Sequence, residues 1–277
     1  MISINMTGIT AASRDLSVTA NNLANARTTG FKRSMASFTE ARSESLDARP
    51  GTETGSGTRT EEVRRTTQQG SLDSTDKALD IAVNGAGYFV YGDAKGPSQT
   101  GSDPAYTFSR SGSLTVAANG NLTDQNGSPL LGLPVLNSGG TGGNPQPINL
   151  SAATGGDLSK IQTIGIDSRG VVSIQLADGR QTNVAAVALA SFRNETGLKA
   201  ASGSTLTETD SSGPPEFSQP SYNGVGEIKQ GALEGANVDL TVEMLHMISA
   251  QQAYNGNARA LQTSSEMMRS AIETLAK

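Results

Sequence analysis

The chain has no cysteine and no tryptophan, and His246 is the single histidine among its 277 residues. Without cysteine there are no disulfides, no thiolate metal site and no cysteine nucleophile. One histidine cannot make an H-x-x-x-H pair or a histidine-rich metal centre. Aromatic residues are 4% and hydrophobic residues 35% of the chain, against 32 glycines, so apolar burial per residue is modest and turns are frequent. The net charge of −5 and the pI of 5.0 argue against a nucleic-acid partner, since the cations are scattered and the nearest thing to a cluster is Lys32-Arg33. The longest apolar run, VAAVALA at 184–190, is far short of the roughly 20 residues a membrane span needs. No apolar core precedes the first cation, Arg14, so no cleavable secretory leader and no membrane insertion are expected.

Phosphate-cradling glycine motifs are missing as well: neither G-x-x-x-x-G-K-[ST] nor G-x-G-x-x-G occurs. The adjacent Glu61-Glu62 reads as hydrated surface, and a pair of spaced carboxylates of glycosidase type stays open because separation in space is invisible at this stage. The expectation is no catalytic residue, no cofactor and no metal.

Three kinds of pattern are present. At the N-terminus Ile2, Ile9, Leu16 and Leu23 recur every seventh residue, the narrow seam of a coiled coil. At the C-terminus Leu240, Met247, Tyr254, Leu261, Met268 and Leu275 recur at the same interval, with Met244 in a second row. Asp239 stands where a cap or first-turn anion belongs, and no proline follows it, which predicts one helix of roughly 55 Å at 1.5 Å per residue. Between the ends, alternating apolar and polar residues are punctuated by Asn84-Gly85, Asn119-Gly120, Asn126-Gly127 and Asp178-Gly179, the dipeptides of tight turns. The expected class is therefore α+β, with long terminal helices forming a coiled coil around a central antiparallel all-β domain. The boundaries read as a helix over 1–30, an extended linker over 31–78, the β domain over 79–207, a return linker over 208–238 and a helix over 239–277. Linker-like composition is strongest at 42–59, 136–147 and 208–224.

One stretch contradicts ordinary helix chemistry. TANNLANARTTGFKRS, at 19–34, places Asn21, Asn22 and Asn25 where good helix formers belong and ends on Gly30 and Phe31. Gly30 is placed for a left-handed C-terminal cap, with Phe31 able to fold back on the last turn. The asparagine-rich face favours a coiled coil formed between both ends and then against other copies of the chain, since so polar a helix gains little from burying its narrow stripe once.

The longer segment DLSVTANNLANARTTGFKRSMASF, at 15–38, resembles the N-terminal signature of the bacterial flagellar axial family, the rod and hook proteins. Its motif, A-N-N-[LI]-A-N-x-x-T-x-G-[FY]-[KR], is carried by Ala20, Asn21, Asn22, Leu23, Ala24, Asn25, Thr28, Gly30, Phe31 and Lys32. The segment GALEGANVDLTVEMLHMISAQQAYNGNARALQTSSEMM, at 231–268, is similar to the family's closing motif, with Ala236 where serine is usual. ALDIAVNGAGYFVYGD (78–93) and YTFSRSGSLTVAANGNL (106–122) resemble the opening of its β domain.

The resemblance implies a non-enzymatic subunit of the flagellum, located in the basal body and hook. It implies export by the type III apparatus without a cleaved signal, and self-association into a helical tube that transmits torque and encloses the export channel. Implied partners are further copies of the chain, adjacent rod, hook or junction proteins, the export apparatus, and a cap or scaffold protein. The expected assembly interface comprises Ile2, Ile9, Leu16, Asn21, Asn22, Leu23 and Asn25 with Leu240, Met244, Met247, Tyr254, Leu261, Met268 and Leu275. GALEGANVDL and FKRSMASF lean towards the hook protein, whereas the chain length and the small loop at 139–147 are nearer to the distal or proximal rod. The expectation is a short hook-type subunit, the rod protein being the alternative and a secreted adhesive β protein a more distant one.

Overall fold

The computed structural model describes residues 2–42, 55–92, 106–134, 144–201 and 204–275, so the linker-like stretches at 42–59 and 136–147 lie largely outside the described residues. The class is α+β: two long helices flank a β region in which every described strand pairing is antiparallel. The described residues divide into a helical unit, drawn from 2–26, 33–66 and 238–275, and a β unit, drawn from 27–32 and 67–237.

In the helical unit, the N-terminal helix runs over Ile2–Ala24 and the C-terminal helix over Leu240–Leu275. The latter starts where Asp239 Oδ1 accepts the N–H groups of Thr241 at 2.8 Å and Val242 at 3.2 Å, which satisfies donors that a first turn leaves free. The former ends well before Gly30: after the last helical bond, Asn25 N–H to Asn21 O at 3.1 Å, the Ala26 N–H tightens onto Leu23 O at 3.3 Å, and Asn25 Nδ2 donates to the Asn21 carbonyl as well at 2.9 Å. Asparagine here offers the backbone an alternative to the next helical turn.

The two helices lie antiparallel and in contact. Ile2 lines a groove with Ser264 and Met268, a Cβ on Gly8 would meet the Asn257 amide at 2.9 Å, and Asn22 bonds Glu243. Beside the N-terminal helix packs an antiparallel hairpin, Ser34–Arg42 with Gly55–Arg65, where an extended linker was expected.

In the β unit, a six-stranded sheet runs in the order Lys199–Ala200, Thr205–Thr207, Thr107–Ser109, Tyr88–Tyr91, Leu189–Ser191, Glu216–Ser218. A five-stranded sheet has Gln181–Val187 at its centre, between Leu131–Leu133 and Val171–Leu176. The strand Tyr88–Tyr91 is buried on both faces: Phe89 and Tyr91 enter one core with Ile81, Leu122 and Ile174, while Tyr88 and Val90 enter another with Phe108 and Phe192. The few aromatics are concentrated there, with Phe108 and Phe192 edge-to-face at 4.7 Å.

The apolar run at 184–190 ends one sheet and begins the other, which explains why it does not alternate: Ala186 to Ala190 are fully buried, with both faces covered. All four turn dipeptides place their glycine at positive φ. The β unit is wider than 79–207. Ile81–Asn84 pairs with Glu227–Gln230, and Leu72–Ser74 with Ala232–Glu234, so stretches read as linkers supply strands.

Candidate functional site

The N-terminal helix has to be held to a mostly polar neighbour, and a buried polar cluster does this. Asn22 is 1% exposed and Glu243 1%. The Asn22 amide behaves like a strand residue towards Ser34, accepting its N–H at 2.9 Å and donating to its carbonyl at 2.8 Å. The same Nδ2 reaches Glu243 Oε2 at 3.2 Å, and Arg33 Nε pairs with Glu243 Oε1. A buried carboxylate is tolerable only when its oxygens are bonded and its charge is matched, and here both conditions are met. Thus Asn22 is spent within the chain: it joins the helix, the start of the hairpin and the first turns of the C-terminal helix.

The seam between the helices is made of small and polar residues. On the C-terminal helix Glu243, Ala250 and Ser264 are the buried positions, and on the N-terminal helix Ala12, Thr19 and Asn22 are. With Asn257, which faces Gly8, Glu243, Ala250 and Ser264 form a heptad row of their own, offset from the apolar one. Small side chains let the backbones approach closely, so the antiparallel pair closes on this row.

The apolar row is turned elsewhere. Leu240 (41% exposed), Met244 (51%), Tyr254 (40%), Met268 (53%) and Leu275 (88%) are open to solvent, together with Leu245, Ile248 and Ile272, whereas Met247 and Leu261 are half-buried. Ile2, Ile9, Leu16 and Leu23 are half-buried as well, and Asn21 is exposed with Asn25 bonded to it. The single-chain contact between the helices therefore centres on the small and polar residues, which allow the closer fit, and the apolar rows lie at its margin, where Ile2 lines a groove with Met268. His246 is exposed on the same helix.

Gly30 is left-handed at φ +69°, but it does not cap the helix. It sits in the β unit and donates its N–H to the Glu234 carbonyl at 2.8 Å, while the Phe31 N–H closes a turn on Thr28 O at 3.2 Å. A Cβ on Gly30 would stand 2.5 Å from the Ser111 nitrogen, so glycine is required by contact as well as by φ. Lys32, next in line, is 6% exposed and places Nζ 2.6 Å from Glu234 Oε1 and 2.8 Å from Gln68 O. Arg110 Nη1 holds the other oxygen of Glu234 at 3.2 Å, and its guanidinium lies 5.0 Å from the centre of the Tyr88 ring. Burial pulls the Lys32 ammonium below the usual lysine range, and Glu234 pushes it back.

Neither Glu243 nor Glu234 was singled out by the sequence. The signal for Glu243 is its place in the small-residue row with Ala250 and Ser264, and for Glu234 a lone carboxylate that ends the strand Ala232–Glu234, next to Leu233 and Gly235.

Three family models match successive parts of the chain. Residues 2–32 match "Flagella basal body rod protein", 82–174 match "Flagellar hook protein FlgE/F/G D1 domain", and 229–274 match "Flagellar basal body rod FlgEFG protein C-terminal". The flagellar basal-body rod protein FlgG of Buchnera aphidicola subsp. Baizongia pistaciae is 31% identical over 95% of this chain and 94% of its own.

The chain belongs to the flagellar rod and hook family.

The FlgG rod protein of Agrobacterium fabrum is likewise 31% identical, over 96% of this chain and 95% of its own. The flagellar hook protein FlgE of Caulobacter vibrioides is 32% identical but over only 44% of this chain and 20% of its own length. This family member is thus a structural subunit of the bacterial flagellar axial structure, and the balance moves from hook to rod. The terminal motifs that leaned towards the hook are shared by both kinds of protein, whereas length and full-span matching separate them.

Proposed function

We propose that this protein is a rod subunit that polymerises, end helices inward, into the tube of the flagellar basal body. Its neighbours are further copies and the adjoining rod or hook proteins. The observation that carries this reading is that one chain leaves Leu240, Met244, Tyr254, Met268 and Leu275 of the C-terminal helix exposed. Large apolar side chains exposed at such a regular interval mark an interaction surface. A second helix from another copy completes it in coiled-coil fashion, with Met244, Tyr254, Met268 and Leu275 as knobs. Shallow grooves of about 410 Å³ and 300 Å³ beside Ser264, lined by Ile4, Met267 and Ile2, show that the intrachain pair leaves room at this end.

On this reading the half-buried Ile2, Ile9, Leu16 and Leu23, and the exposed Asn21, join the same interfaces. The chain reaches its site through the type III export apparatus, with a cap or scaffold protein guiding addition. The polymer transmits torque and encloses the channel.

The experiment is removal of the gene followed by electron microscopy of the remaining basal bodies. A rod subunit leaves bodies that lack a completed rod; intact rods that lack only the hook would return the hook reading. A secreted adhesive β protein, in contrast, would leave the whole axial structure in place.

A further inference from the structure

We infer that residues 27–32 are latched into the β unit by the Lys32–Glu234–Arg110 cluster, and that they fold and unfold with that unit and not with the helix that precedes them. Apart from the Phe31–Thr28 turn, the contacts that place this short segment reach residues far away in the sequence. Gly30 N–H bonds Glu234 O at 2.8 Å, the Thr29 and Ser111 hydroxyls meet at 3.1 Å, and Asn237 N–H bonds Phe31 O at 3.3 Å. The Asn237 amide also donates to Gln68 O at 2.8 Å, the carbonyl that receives Lys32. Six residues bury too little apolar surface to hold such a position, so the charges decide it.

The charge count supports a built receptor for Lys32. Around the cluster the β unit supplies two carboxylates, Glu234 and Glu195, the latter bonded by the Tyr88 hydroxyl at 3.0 Å. It supplies one cation, Arg110. Lys32 restores neutrality and takes the Oε1 atom of a carboxylate that is 0% exposed. When the segment lifts away, Glu234 keeps Arg110 and the Gly70 N–H at 3.1 Å, so it stays paired and hydrogen-bonded while the cluster is left one positive charge short. A buried pair with a standby partner of this kind is a reversible latch.

Amide hydrogen exchange on the full chain under a denaturant series tests it, with no dependence on polymerisation. The Gly30 amide should share the protection of amides in Val171–Leu176 and Gln181–Val187, and differ from those of Ile2–Ala24. Gly30 exchanging with the N-terminal helix instead would overturn the inference. Lys32→Met should speed Gly30 exchange at least tenfold while the two sheet strands change less than twofold; an unchanged Gly30 rate would refute the role of the charge. Should Lys32→Met unfold the whole unit, the wild-type comparison decides, and Gly30→Ala, which displaces the segment by contact alone, serves as the second variant.

Discussion

Ile272 offers a quantitative test of the assembly face, because it is 64% exposed and its truncation disturbs little within the chain. Ile272→Ala removes three carbons, worth about 2.4 kcal/mol if fully buried at about 0.8 kcal/mol per methylene. Only the part that is exposed before assembly can be gained by assembly, so the 64% exposure scales the loss to about 1.5 kcal/mol. That is a factor of about ten in an association constant. The critical concentration for polymerisation of purified protein, read by sedimentation, should therefore rise about tenfold. Leu240→Ala, at 41% exposure and at the other end of the helix, should cost about 1 kcal/mol, and the double variant should approach a hundredfold because distant sites add. Thermal unfolding of the β unit should not move. An unchanged critical concentration in the double variant would show that this face is not where subunits meet, and the proposed polymer geometry would fall with it.

Asn22→Ala should cost about 2–4 kcal/mol, since the Ser34 backbone and Glu243 lose their partner in a buried setting. Asn21→Ala, on the exposed side, should stay within about 0.5 kcal/mol, and melting of the assembled form followed by far-UV circular dichroism separates the two. Phe108→Ala should destabilise the β unit by about 3–5 kcal/mol in urea unfolding, because the ring is fully buried against Phe192. Burial pushes the hydroxyls of Tyr91 and Tyr88 up from the ordinary tyrosine range, Glu195 adding to the effect at Tyr88. The folded state then keeps protons that the unfolded chain loses above pH about 10, so stability falls with rising pH by about 1.4 kcal/mol per unit for each tyrosine. Lys32 acts in the opposite sense below about pH 10.5, its folded form favouring the neutral amine. Tyr91→Phe should take about 1.4 kcal/mol per pH unit off the alkaline slope, and an unaltered slope would refute the assignment.

Periodicity and turn chemistry are local, and what they govern was legible in the chain. The long C-terminal helix begins at the Asp239 cap, the Asn-Gly and Asp-Gly turns have left-handed glycines, and the α+β class follows from apolar spacing of seven at the ends and two in the middle. The terminal motifs, being ordered and long, placed the chain in its family.

Only the tertiary structure decided which row of each helix faces the other. Both the apolar row and the Glu243, Ala250, Ser264 row have the heptad interval, and close approach of small residues, with the Asn22–Glu243–Arg33 bonds, outweighed the wider apolar stripe. The same holds for TTGFK: its glycine is left-handed as a cap would be, yet its place is set by Glu234, some two hundred residues away along the chain. A buried charge takes whichever partner the fold brings within reach, and sequence distance has no bearing on that choice.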